Sequence, residues 1–208
     1  MKRILGLLVF VSAFSALAGV AKADPLVFTA TLSGANERPT PNSSPGTGFA
    51  VVTVDGNMMT VSVNFSGLVS TTSTGAPSGT TASHIHCCIP PTGAAAVGTS
   101  LPTFPGFPLG VTSGTYLQTF DLTLASTYNP AFIAAHGGTV ESARIDFLNG
   151  LREGNAYLNI HSNAFPGGEI RGQLQPVPEP ATLILLGTGL AGAAISRRKK
   201  RKGIISAG

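Results

Sequence analysis

The sequence predicts a mainly β fold, an antiparallel sandwich or barrel with one or two short helices. Three observations predict it. Apolar and polar residues alternate with a period of two, as in Tyr157-Leu158-Asn159-Ile160-His161-Ser162, which sends successive side chains to opposite faces of a strand. Clusters of Gly, Pro, Ser and Asn separate the apolar runs at short intervals, as turns between strands do. One stretch, Val140 to Leu151, carries an extended helical stripe instead.

The two ends read as addresses rather than fold. Lys2 and Arg3 precede an apolar run from Ile4 to Val20, and Ala21-Lys22-Ala23 is a small-x-small cleavage signal. Residues 1–23 are therefore expected to be an export signal, cut after Ala23. At the other end, Val177-Pro178-Glu179-Pro180 leads into an apolar run from Ala181 to Ile195, and the basic run Arg197 to Lys202 follows Ser196. The apolar run is just short of the ~17 to 25 residues of a spanning helix. The basic cluster would hold its end on the cytoplasmic side. The expected organisation is a signal (1–23), one domain (24–176), a sorting segment with a membrane helix at 181–196 (177–202) and a short tail (203–208).

Charge follows the same division. The whole chain carries +4. Between Asp24 and Pro176 there are four arginines and eight carboxylates, so the expected domain carries −4. The chain's basic character belongs to its ends, and no nucleic-acid partner is expected. A domain of about 150 residues buries roughly 70% of its unfolded surface, enough for one core.

Taken in order, Val27 to Leu32 reads as a first strand. Ser33 to Gly46 is a polar loop, in which Glu37 and Arg38 read as a solvated pair. Gly48 to Val54 and Met58 to Phe65 read as a hairpin, since Asp55-Gly56 between apolar runs is a strong turn signal. Ser70 to Thr81 is low in complexity and reads as a flexible loop. A strand is expected from Ala82 to Ile89, stopped by Pro90-Pro91. Gly93 to Gly114 reads as a long ordered loop whose Phe104 and Phe107 plug the core edge. Thr115 to Leu124 is a further strand. Asn129 caps a short helix that starts with Pro130 and ends at Gly137. Thr139 caps a second helix, in which Val140, Ala143, Phe147, Leu148 and Leu151 form one apolar stripe. The last element is a hairpin from Ala156 to Leu174, turned by Pro166-Gly167-Gly168.

That hairpin also carries a resemblance. The run YLNIHSNAFPGGEIRGQL resembles the closing motif of the CHRD (chordin-type) domain. FTATLSGANERP (Phe28 to Pro39) and SHIH (Ser83 to His86) extend the likeness in the same order. It covers roughly residues 25–175. It implies a fold more than an activity, since CHRD domains have no generally assigned chemistry. Pro178, Glu179 and Pro180, followed by the apolar run and the basic end, resemble a PEP-CTERM sorting signal. That likeness implies processing by an exosortase-type enzyme and a cell-envelope or extracellular location. The C-terminal helix would then anchor the chain in the membrane transiently or permanently.

One constellation could carry chemistry. His84 and His86 sit at i and i+2, so on a strand they share a face with Cα atoms ~6.5 Å apart. His161 lies on the polar side of another strand. Three imidazoles suit copper or zinc. Cu/Zn superoxide dismutase has a similar His-x-His on a sandwich, but this chain lacks a second His and Asp cluster for a paired metal. The plainer reading is hydrogen bonding on a half-buried face, with Asn159 or Glu169 as partners. Ligand recognition without metal is a third. Cys87 and Cys88, which follow the second histidine where the CHRD pattern has a small residue, read as a vicinal disulfide, as metal ligands, or as one buried and one idle thiol. Glu169 and Arg171 share a strand face and read as a local ion pair or a ligand anchor. There is no Gly-x-Ser-x-Gly elbow, phosphate loop or dinucleotide fingerprint. From sequence the favoured function is a non-enzymatic envelope or extracellular-matrix binding protein. Its competitor is a copper or zinc protein of the superoxide-dismutase-like type.

Overall fold

The computed structural model describes residues 24–178 and 187–192. The expected signal (1–23) and most of the expected membrane helix and basic end lie outside the described residues. Among the described residues no helix is long and apolar enough to cross a membrane.

Eight strands form one antiparallel sheet that curls into a half-barrel. They are β1 (Leu26–Ser33), β2 (Thr47–Asp55), β3 (Met58–Ser66), β4 (Thr80–His86), β5 (Gly114–Asp121), β6 (Tyr157–Ser162), β7 (Ile170–Gln173) and β8 (Gln175–Pro176). The order across the sheet is β4-β6-β7-β1-β2-β3-β5, with β8 paired to β1. The β2–β3 hairpin forms as its Asp-Gly predicts: Asp55 pairs with Met58, and Gly56 takes φ +59°, which a side chain would resist.

A single pair, Ser33 with Arg171, joins β7 to β1. Gly172 makes the crossing feasible, because a Cβ there would come within 2.7 Å of the Thr31 carbonyl oxygen. The concave side holds the core. Phe28, Leu32, Val52, Val61, Val63, Leu158 and Ile160 point into it, each 1% exposed or less. These are the apolar members of the alternations that predict the strands.

Two helices close that core, α1 (Pro130–Ala135) and α2 (Val140–Arg152). Both start where their caps predict. Asn129 Oδ1 accepts from the Ala131 N–H at 3.0 Å, and Thr139 Oγ1 accepts from the Ser142 N–H at 3.1 Å. The stripe on α2 buries Ala143, Phe147, Leu148 and Leu151. Phe104 and Phe107 of the long loop are buried in the same core.

That loop also settles the edge strand β4. The Ile85 and Ser83 carbonyls accept from the N–H groups of Gly98 and Phe104, and Thr80 exchanges backbone bonds with Gly110 and Val111. The free edge is thereby covered rather than left to pair with another chain. Two strands end three residues short of expectation. β4 stops at His86 rather than Ile89, because the chain bends at Cys88 and Ile89. β5 stops at Asp121 rather than Leu124, because Asp121 Oδ1 captures the Thr123 N–H in a local turn.

Candidate metal centre

The polar face of the β4–β6–β7 part of the sheet is not open to water. Loops cover it. His84 and His86 are 5% and 8% exposed, and His161 is partly exposed. Strand geometry gathers the three. His84 and His86 leave the same face of β4, and β6 runs alongside with Tyr157 opposite His86, Asn159 opposite His84 and His161 opposite Ala82. One nitrogen from each ring lies within 4.8 Å of the others.

One nitrogen of each ring is committed to a hydrogen bond. His84 Nε2 donates to the Pro102 carbonyl at 2.6 Å, His86 Nδ1 to the Ala95 carbonyl at 2.9 Å, and His161 Nδ1 to the Pro166 carbonyl at 3.0 Å. A carbonyl only accepts, so each of these nitrogens must carry the proton of a neutral ring. The lone pairs are then left on His84 Nδ1, His86 Nε2 and His161 Nε2. Among the described residues these three buried nitrogens have no hydrogen-bond partner. Three lone pairs in one cluster cannot satisfy each other. Protonation is no easy remedy, since burial lowers the pKa of all three, taking His86 down to about 4.

Supporting contacts fix the rings. His86 stacks on Tyr157 with centroids 4.7 Å apart and planes at 6°. The Tyr157 hydroxyl accepts from the Ala95 N–H at 3.1 Å. From β7, on the other side of β6, the Arg171 guanidinium sits 3.4 Å from the Tyr157 ring centre. Arg171 also donates to the Gly93 carbonyl at 2.8 Å and the Pro91 carbonyl at 3.3 Å, tying down the loop that carries Ala95.

Several expected roles change. The histidines bond to loop carbonyls, not to Glu169 or Asn159. Glu169 does not face Arg171 as a partner: its Oε1 accepts from Ser44 Oγ at 2.7 Å and from the Val69 N–H at 2.6 Å. Glu37 is no solvated loop residue. It is 4% exposed, and it accepts from Asn159 Nδ2 at 3.4 Å. Burial pushes its carboxyl up to about 7, against the opposing pull of the Arg171 charge. Cys87 and Cys88 are joined to each other and pack against Gly150 of α2.

A CHRD domain model matches residues 28–174. The chain belongs to the CHRD domain family. Residues 176–200 match the PEP-CTERM protein-sorting motif. This CHRD protein is therefore exported, processed by an exosortase-type enzyme and sorted to the cell envelope. No curated protein and no solved structure matches the chain. The domain match spans all three histidines, and the sorting motif begins where β8 ends.

Proposed function

We propose that this CHRD protein is a metal-binding protein of the cell envelope, holding one copper or zinc ion on His84, His86 and His161. One observation carries the reading: the three rings bring one nitrogen each within 4.8 Å of the others, and in each ring a buried nitrogen lacks a partner while the second is fixed by a backbone carbonyl. A water could offer two hydrogens to three acceptors. A cation answers all three lone pairs at once. Neutral imidazole oriented by an outer hydrogen bond is the usual state of a histidine ligand, and it suits zinc and copper alike.

The reading from sequence, a binding module working through its β surface, is compatible with such a centre. Metal would then join β4 to β6 and lock the loops at Ala95, Pro102 and Pro166 against the sheet. The test is elemental analysis of the exported chain, purified without chelator and then incubated with zinc or copper. One ion per chain is expected, lost in His84→Ala and His86→Ala. A folded protein that takes up neither metal overturns the reading and leaves the histidines as hydrogen-bonding residues.

A further inference from the structure

Among the described residues, Asn159 Oδ1, opposite His84 in the sheet, and Glu37 Oε1, on the carboxylate that reaches Asn159, have no hydrogen-bond partner, although their residues are 3% and 4% exposed. The sheet register places Asn159 at the centre of the cluster. It lies opposite His84 and two residues before His161, so the three side chains leave the same face. Glu37 reaches Asn159 from the loop after β1. Gly168 seals the far side, because a Cβ there would come within 2.6 Å of Asn159 Nδ2 and 2.8 Å of either Glu37 oxygen.

Arg171 gives these acceptors no hydrogen bond. Across from Asn159 on β7, it commits its guanidinium to Gly93, Pro91, Gln173 and the Tyr157 ring. A buried acceptor without a donor is costly, so what is missing is a group with hydrogens to give. An anion would only add lone pairs. A metal held by three protein ligands keeps a fourth position, which water commonly fills. Such a water gives its lone pair to the metal and turns two O–H groups outward.

We propose that Asn159 and Glu37 are positioning residues that hold a water in the fourth position of the metal, with Asn159 Oδ1 and Glu37 Oε1 accepting its hydrogens. The inference rests on the three-histidine reading. It makes the centre an exchangeable site, open to a small exogenous ligand in place of that water.

Cobalt(II) loaded into the metal-stripped full chain reports its own coordination through its visible spectrum, and azide titrated at pH 8 competes with the water. Wild type should bind cobalt and shift its spectrum with azide. Asn159→Ala and Glu37→Gln should bind cobalt within about threefold of wild type. Asn159→Ala should bind azide about tenfold tighter, because the water it displaces has lost a hydrogen bond, and Glu37→Gln should move the same way. If Asn159→Ala does not fold, Glu37→Gln decides alone. A cobalt protein blind to azide, or equal azide affinities in wild type and variants, overturns the inference but leaves the histidine site standing. Failure of wild type to bind cobalt at all removes both.

Discussion

The ring of His86 lies flat on the ring of Tyr157, 4.7 Å between centroids, and the same tyrosine hydroxyl holds the backbone of Ala95, whose carbonyl accepts from His86 Nδ1. Tyr157 thus supports His86 twice, by stacking and by fixing its partner. Tyr157→Phe keeps the first support and loses the second. It should cost about 1 kcal/mol in chemical denaturation, the net worth of a buried hydrogen bond. Amide exchange should quicken around Ala95 while metal affinity falls only slightly. Tyr157→Ala loses both supports and should cost about 3–5 kcal/mol. Equal costs for the two variants would contradict the double role.

Arg171 should resist conservative exchange. Its two terminal nitrogens donate to the Gly93 and Pro91 carbonyls while its guanidinium lies over Tyr157. Lysine keeps the charge but lacks the planar fork. Arg171→Lys should therefore loosen the segment between Pro91 and Ala95, seen as faster amide exchange there and little change in α2. A uniform rise in exchange across the domain would argue for general destabilisation instead.

The pH dependence of the metal-free protein should show two opposing slopes. Burial lowers His86 from its ordinary 6.5 to about 4. Between those values the unfolded chain binds a proton that the folded one does not, so this contribution to stability is lost as pH falls from about 6.5 through about 4. His84 and His161 shift in the same direction. Glu37 is raised from 4.5 to about 7. There the folded protein holds the extra proton, so stability is lost as pH rises from about 4.5 through about 7. Glu37→Gln removes only the second slope. Its stability relative to wild type should grow from pH 4 to pH 8 in urea denaturation. A difference that stays flat with pH would contradict the burial argument.

Gly150 should not tolerate a side chain, although alanine is normally worth about 1 kcal/mol over glycine within a helix. A Cβ at Gly150 would run into the sulfurs of Cys87 and Cys88, the latter at 2.6 Å. Overpacking of this kind costs typically 1–3 kcal/mol, so the clash outweighs the propensity. Gly150→Ala should lower the melting temperature. A raised one would mean that α2 moves aside freely.

Much of the fold was legible because local chemistry and tertiary burial agree. Leu158 and Ile160 alternate with Asn159 and His161, and the core takes the first pair while the covered polar face takes the second. Asn129, Thr139 and Gly56 do what their types do anywhere. His84 and His86 announced a shared face through their spacing alone. What sequence hid is non-local. Glu37 sits among Ser, Pro, Asn and Gly and reads as solvated, yet its partner Asn159 is 122 positions away. The carbonyls of Ala95, Pro102 and Pro166 fix the histidine tautomers, and a backbone carbonyl leaves no mark in a sequence. Glu169 and Arg171 have the spacing of a pair, but Ser44, Val69 and Gly93, which claim them, come from distant loops.

X-ray absorption of the zinc-loaded full chain tests the central claim most directly. The account predicts three imidazole nitrogens and one further light atom at about 2.0–2.1 Å, with no sulfur near 2.3 Å. A sulfur shell would move the site to Cys87 and Cys88, and an oxygen-only shell without imidazole scattering would place the metal away from the three histidines; either result contradicts it.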